Sequence, residues 1–211
     1  MRTDTLISLL AQSAGPAPRQ LVVRRMGMAA TLGLFMSVSL VVFMMGLLPA
    51  SALFTPGPWI KLAYGSGLLV LALVLAGRLA RPGVRQGVWG YLPWVVVCVM
   101  LMAGGVSLML TPSEQRAFAL FGQTWLACPW MVLAFSLPSM IAMFWAFKGL
   151  APTHLRFAGF AAGLAAGASG ALAYSLACPE VSTTFVAVWY TLGIGLSTLL
   201  GGALGPRLLR W

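Results

Sequence analysis

Acidic residues, histidine and cysteine are all scarce in this chain: its 211 residues include three acids, one histidine and three cysteines. A single histidine excludes bis-histidine haem ligation, and three dispersed acids exclude a carboxylate cluster for hard cations. Neither an HExxH zinc motif nor a CxxC redox pair occurs. No cofactor and no catalytic constellation is expected, so the chain does not read as an enzyme. Charged residues of all kinds make up only 8%, against about 25% in a soluble domain, while hydrophobic residues reach 60% and the mean hydropathy is +0.94. Such a chain cannot cover its own surface with polar groups. It reads as an all-α integral membrane protein.

A span needs about 20 mostly apolar residues to cross the hydrocarbon core, and six stretches qualify: 28–48, 60–77, 89–110, 126–147, 157–177 and 185–204. The chain divides into an N-terminal segment, 1–27, and a six-span bundle, 28–211. The net charge of +10 is then a topological signal and not a nucleic-acid one. Arg2, Arg19, Arg24, Arg25, Arg78, Arg81, Arg85, Lys148, Arg156, Arg207 and Arg210 fall on one side, with Lys61 and Arg116 on the other. The positive-inside rule makes the first side cytoplasmic, with both termini inside. Arg24-Arg25 before an apolar run and Ala50-Ser51-Ala52 after it resemble a cleavable signal, but the run exceeds the 7–15 residues of a signal core. The segment is expected to be retained.

Inside the bundle, Gly159, Gly163 and Gly167 repeat every four residues along span five, the spacing of a flat stripe for close helix packing. Gly201 and Gly205 repeat it in span six. No ionisable side chain reads as deep within a span, which counts against a proton-coupled transporter. A small transporter or channel gated by span five remains the alternative class. Trp59, Trp89, Trp94, Trp125, Trp130, Trp189 and Tyr190 read as an interfacial aromatic belt.

Cys98 falls near the middle of span three and reads as a buried small hydrophobe. Cys128 and Cys178 differ: both occur as Ala-Cys-Pro, at the outer ends of spans four and five. At 1.5 Å per residue they stand about 30 Å above the inner hairpin, nearly level with each other. Neighbouring antiparallel helices at that height can bring two Cα atoms within disulfide range. Cys128 opens its helix, where the positive dipole end favours a thiolate. Cys178 closes its helix beside Glu180. Cys128 is therefore expected to be the nucleophilic thiol and Cys178 the resolving one. A soft metal site of Cys128, Cys178 and Glu180 is a second reading, and a static structural disulfide is a third.

The opening Thr3-Asp4-Thr5-Leu6-Ile7-Ser8-Leu9-Leu10 reads as a short helix capped by Thr3, with Leu6, Ile7, Leu9 and Leu10 forming an apolar face. So short a helix is marginal alone. It either lies on the membrane surface or docks in a partner's groove.

That opening, the six spans, Cys128 at the start of span four, Cys178-Pro179-Glu180 after a Gly/Ala-rich span five, Trp189-Tyr190, and the terminal Arg207-Leu208-Leu209-Arg210-Trp211 resemble the NrsF-type membrane anti-sigma factors over essentially the whole chain. The resemblance implies a bacterial inner-membrane protein that holds an extracytoplasmic-function (ECF) sigma factor at the cytoplasmic face, without touching nucleic acid itself. It implies sigma binding by Asp4, with Leu6, Ile7 and Leu10 beside it. It further implies release through Cys128 and Cys178 under oxidants or heavy metals. The family often carries a second aspartate where this chain has Thr5, a departure that bears on the strength or choice of the sigma contact.

Overall fold

The computed structural model describes residues 3, 5, 7–8, 20–81, 87–150 and 152–210, without the side chain of Leu53. No strand occurs among them. Six helices are long and apolar enough to cross a membrane: α1 (Leu21–Met45), α2 (Pro56–Leu79), α3 (Leu92–Leu110), α4 (Cys128–Lys148), α5 (Leu155–Ser175) and α6 (Thr183–Leu208). Proline sets several of the starts. Pro56, Pro93 and Pro129 each lie in a first turn, where the missing N–H costs nothing and the fixed φ suits a helix. Ser182 caps α6 by accepting the Phe185 N–H at 3.4 Å.

Three boundaries depart from the hydropathy reading, each because helical hydrogen bonding outruns the apolar run. Helix α1 begins at Leu21 and carries Arg24 and Arg25 within it. Helix α2 begins at Pro56, which moves Lys61 from the edge of the span to more than a turn inside it. Helix α6 starts at Thr183 and contains a π-helical turn at Val186–Tyr190, a feature that re-aims side chains and is frequent at functional sites.

Helix α5 is the centre of the bundle, packing against α6, α4, α2 and α1. Some 78% of its apolar stretch is buried, against 17% of that of α3. Composition explains the position, because only a helix of alanine and glycine can be approached from several sides at once. A Cβ on Gly163 would stand 2.5 Å from the Ser197 carbonyl oxygen, and one on Gly167 would stand 2.9 Å from Ser197 Cβ. A Cβ on Gly159 would strike the Gly201 carbonyl, and Gly201 in turn lies against Gly159 and Gly163. On another side of α5, Gly170 meets the α4 backbone at Val132 and Ser136. Buried serine pairs tie α4 to its neighbours, Ser37 to Ser139 at 3.2 Å and Ser136 to Ser197 at 3.0 Å.

Cys98 corrects the sequence reading. It is exposed on α3, on an outward-facing strip with Tyr91, Trp94, Val95, Val99 and Met102. Helix α3 touches the bundle with one narrow side only, so mid-span depth does not bury its residues. The two ends of the bundle are also distinct. Arg25 in the first turns of α1 donates to the Gly149 carbonyl at 3.3 Å and lies over the Trp145 ring at 5.2 Å. The start of α1 therefore sits at the α4–α5 hairpin, a full helix length from Cys128.

Candidate functional site at the cysteine end of the bundle

Cys128 is the first residue of α4. Cys178 lies just past α5, its N–H still donating to the Tyr174 carbonyl at 3.0 Å. Both are free thiols, both are 0% exposed, and each lies within electrostatic reach of the other. The hairpin thus brings the pair together. Neither thiol is more accessible than the other.

Over this end of the bundle the connection 111–127 folds down onto the segment 178–190. The short helix Arg116–Phe121 ends at Gly122 with φ +52°, a left-handed conformation suited to glycine. The chain then turns so that the Gln123 and Thr124 N–H groups donate to Glu180 Oε1 at 2.7 and 3.2 Å. The Thr124 hydroxyl adds a third donor at 3.3 Å. Ser182 donates to the Ala119 carbonyl at 2.8 Å and Trp189 Nε1 to that of Leu120 at 2.8 Å. Phe121, Trp125 and Trp189 close the cover as an aromatic cluster, with centroids 5.2 to 6.3 Å apart. Glu180 is therefore engaged in fastening this cap. Among the described residues no group of three His, Cys, Asp or Glu side chains is placed to hold a metal ion, so the structure does not assemble Cys128, Cys178 and Glu180 into such a site.

Replacing Glu180 with alanine leaves two backbone donors without an acceptor, a loss of roughly 1.5–3 kcal/mol for bonds to a charged group. The cap should then open more often, and maleimide alkylation of Cys128 in the membrane-embedded protein should speed up by about tenfold or more. An unchanged alkylation rate would show that the cap is held by something else.

Beneath the cap lies a polar interior that the sequence reading missed. Lys61 is 1% exposed, and its Nζ donates to the Cys178 carbonyl at 2.8 Å. The ammonium stands 5.8 Å from the centre of the Tyr190 ring. The Tyr174 and Tyr190 rings lie tilted against each other with centroids 5.8 Å apart and turn their hydroxyls toward Cys178. The Tyr190 hydroxyl is buried and completes no hydrogen bond. Tyr190 accordingly does not belong to an interfacial belt, unlike the exposed Trp59, Trp94 and Trp130. The π-helical turn of α6 carries both Trp189 and Tyr190, the first to the cap and the second to the thiols. Lys61 was legible in principle: Thr55-Pro56-Gly57-Pro58 signals a helix start, and five residues further on a lysine must lie within the helix.

Of the N-terminal residues, Ile7 is helical and 59% exposed, while Asp4, Leu6 and Leu10 lie outside the described residues. Gly159, Gly163 and Gly167 line the α5–α6 contact, far down the bundle from the thiols.

The anti-sigma-F factor NrsF of Caulobacter vibrioides (strain NA1000 / CB15N) is 39% identical over 219 aligned residues, covering all of both chains. A probable anti-sigma-F factor NrsF of Azospira oryzae (strain ATCC BAA-33 / DSM 13638 / PS) is 33% identical over 222 residues, again over the full length of both. No solved structure matches the chain. The family model described as negative regulator of sigma F matches residues 10–211. With a family model matched over nearly the whole chain and full-length relatives of this kind, the chain belongs to the NrsF family of negative regulators of sigma F.

Proposed function

We propose that this protein is a bacterial inner-membrane anti-sigma factor that holds an ECF-type sigma factor through its N-terminal segment, in the cytoplasm, and releases it when the thiol pair reacts on the opposite side. The full-length similarity to named anti-sigma-F factors carries the regulatory half of this reading. The separation of the thiols from the start of α1 by the length of α4, about 30 Å, supports the transmembrane half. Basic residues concentrate at the α1 end, which the positive-inside rule assigns to the cytoplasm.

In the reacting step, a two-electron oxidant such as hydrogen peroxide transfers one oxygen to a thiol, giving a sulfenic acid and releasing water. The second thiol then attacks that sulfur and expels a second water, leaving a disulfide. A thiophilic metal ion bridging the same two sulfurs would pull on the same turn. Either event displaces the Cys178 turn against Tyr174 and Tyr190, and hence α5 against α6. To move a sigma factor from 99% bound to 1% bound, the two states must differ about 10⁴-fold in affinity. That is a large demand on a segment of fewer than 30 residues, and it favours a binding mode in which the bundle's hairpin end contributes.

Asp4 supplies the test of the cytoplasmic half. Asp4→Asn should weaken sigma capture by roughly 1–3 kcal/mol, the loss of one charge-assisted contact. Co-purification of the cognate sigma factor with the parent and with the variant measures it. Undiminished capture by Asp4→Asn would remove Asp4 from the binding surface.

A further inference from the structure

Lys61 is the only buried cationic side chain among the described residues. It lies five residues, about 8 Å, into α2. A lysine that close to a span end ordinarily extends its stem along the helix and places its ammonium in the interfacial water. Here it turns inward. The ammonium caps the carbonyl end of α5 from a different helix, where the helix dipole and the free carbonyls favour a cation. It also faces Cys128, Glu180 and the Cys178 thiol, with the unbonded Tyr190 hydroxyl buried in the same enclosure. Neighbouring contacts converge on the same turn: the Leu48 N–H donates to the Leu176 carbonyl at 2.9 Å, and a Cβ on Gly57 would stand 2.8 Å from Val181 Cα. Several contacts could therefore hold the turn in place, but only one brings positive charge to the sulfurs. Glu180, the nearby carboxylate, spends its Oε1 on the Gln123 and Thr124 donors.

We infer that Lys61 is the positioning residue of the thiol pair, fixing the Cys178 turn and making the enclosure selective for anionic over cationic thiol reagents. This deepens the sensing reading and rests on it, in that Cys128 and Cys178 are taken as the reacting groups. Reaction at sulfur proceeds by attack of its electron pair on an electrophile, so negative charge gathers at sulfur and on the departing group along the way. An ammonium alongside stabilises that charge and attracts an anionic reagent before it reacts. At an effective dielectric between that of protein and water, one unit charge a few ångströms away changes a rate by about tenfold.

The test uses the full chain in membrane vesicles, as parent, Lys61→Met and Lys61→Arg. Each is treated with a methanethiosulfonate bearing either an ethylsulfonate or a trimethylammonium-ethyl group. In both reagents the cysteine sulfur takes the thioalkyl group and methanesulfinate leaves. Rates at Cys128 and Cys178 are read by peptide mass spectrometry and normalised to those of free cysteine. The parent should prefer the sulfonate. That preference should fall about tenfold in Lys61→Met and return in Lys61→Arg. A merely mechanical role for Lys61 would change both rates together and leave their ratio constant, which would overturn the inference. So would equal normalised rates on the parent, a result that needs no variant to fold, and so would parent thiols that resist both reagents. Failure of the sensing reading looks different: fully modified thiols with unchanged sigma capture.

Discussion

Changing both capped cysteines to serine, Cys128→Ser with Cys178→Ser, should leave the sigma factor sequestered and abolish its release by oxidant, holding sigma-dependent transcription at its unstressed level. The argument starts from burial. Both thiols are enclosed beneath a cap fastened by Glu180, and serine is close enough in size to occupy either place with little disturbance of the resting state. What serine cannot do is form the sulfur–sulfur bond or grip a thiophilic metal. If the pair were a static brace, it would be oxidised in unstressed cells, and its removal would cost about 2–4 kcal/mol and lower the protein's abundance. If it is a switch, thiol trapping in unstressed cells finds both residues reduced, and the double variant accumulates normally. A disulfide already complete at rest, or full induction in the double variant, would sink the switch.

The second large effect is expected at the α5–α6 contact. Gly163→Leu should prevent the two helices from meeting, at a loss of about 3 kcal/mol or more. Even a single Cβ there would stand 2.5 Å from the Ser197 carbonyl oxygen and 2.9 Å from Thr198 Cα. Those atoms belong to backbone and cannot rotate aside. In a bilayer no hydrophobic gain between helices offsets such a separation, because lipid tails are as apolar as leucine. Gly195, two residues before Ser197 on α6, has nothing within 4 Å of its Cβ position, so Gly195→Ala should be neutral or slightly stabilising. Thermal unfolding in detergent of both variants beside the parent checks the contrast. Equal melting temperatures for parent and Gly163→Leu would show that α5 and α6 do not depend on this close approach.

Hydropathy alone indicated the six long apolar helices found among the described residues and roughly where each lies, because a span must exceed a certain length whatever it packs against. Glycine spacing likewise marked the side of α5 on which another helix could lie. The level placement of Cys128 and Cys178 followed from counting 1.5 Å steps from a shared hairpin. Three features could not be counted in this way. Cys98 has mid-span depth but faces outward, because depth is a property of one helix while burial is set by its neighbours. Tyr190 has the sequence position of a belt residue, yet a π-helical turn rotates it onto the thiols. Lys61 has the position of a cation at a span end, free to reach interfacial water, and instead lies 1% exposed against the Cys178 carbonyl. For Lys61 the deciding contact joins residues 117 positions apart. Local pattern states what a side chain tolerates, and only the closing of α2, α5, α6 and the outer cap around one another selects which of the tolerated surroundings it meets.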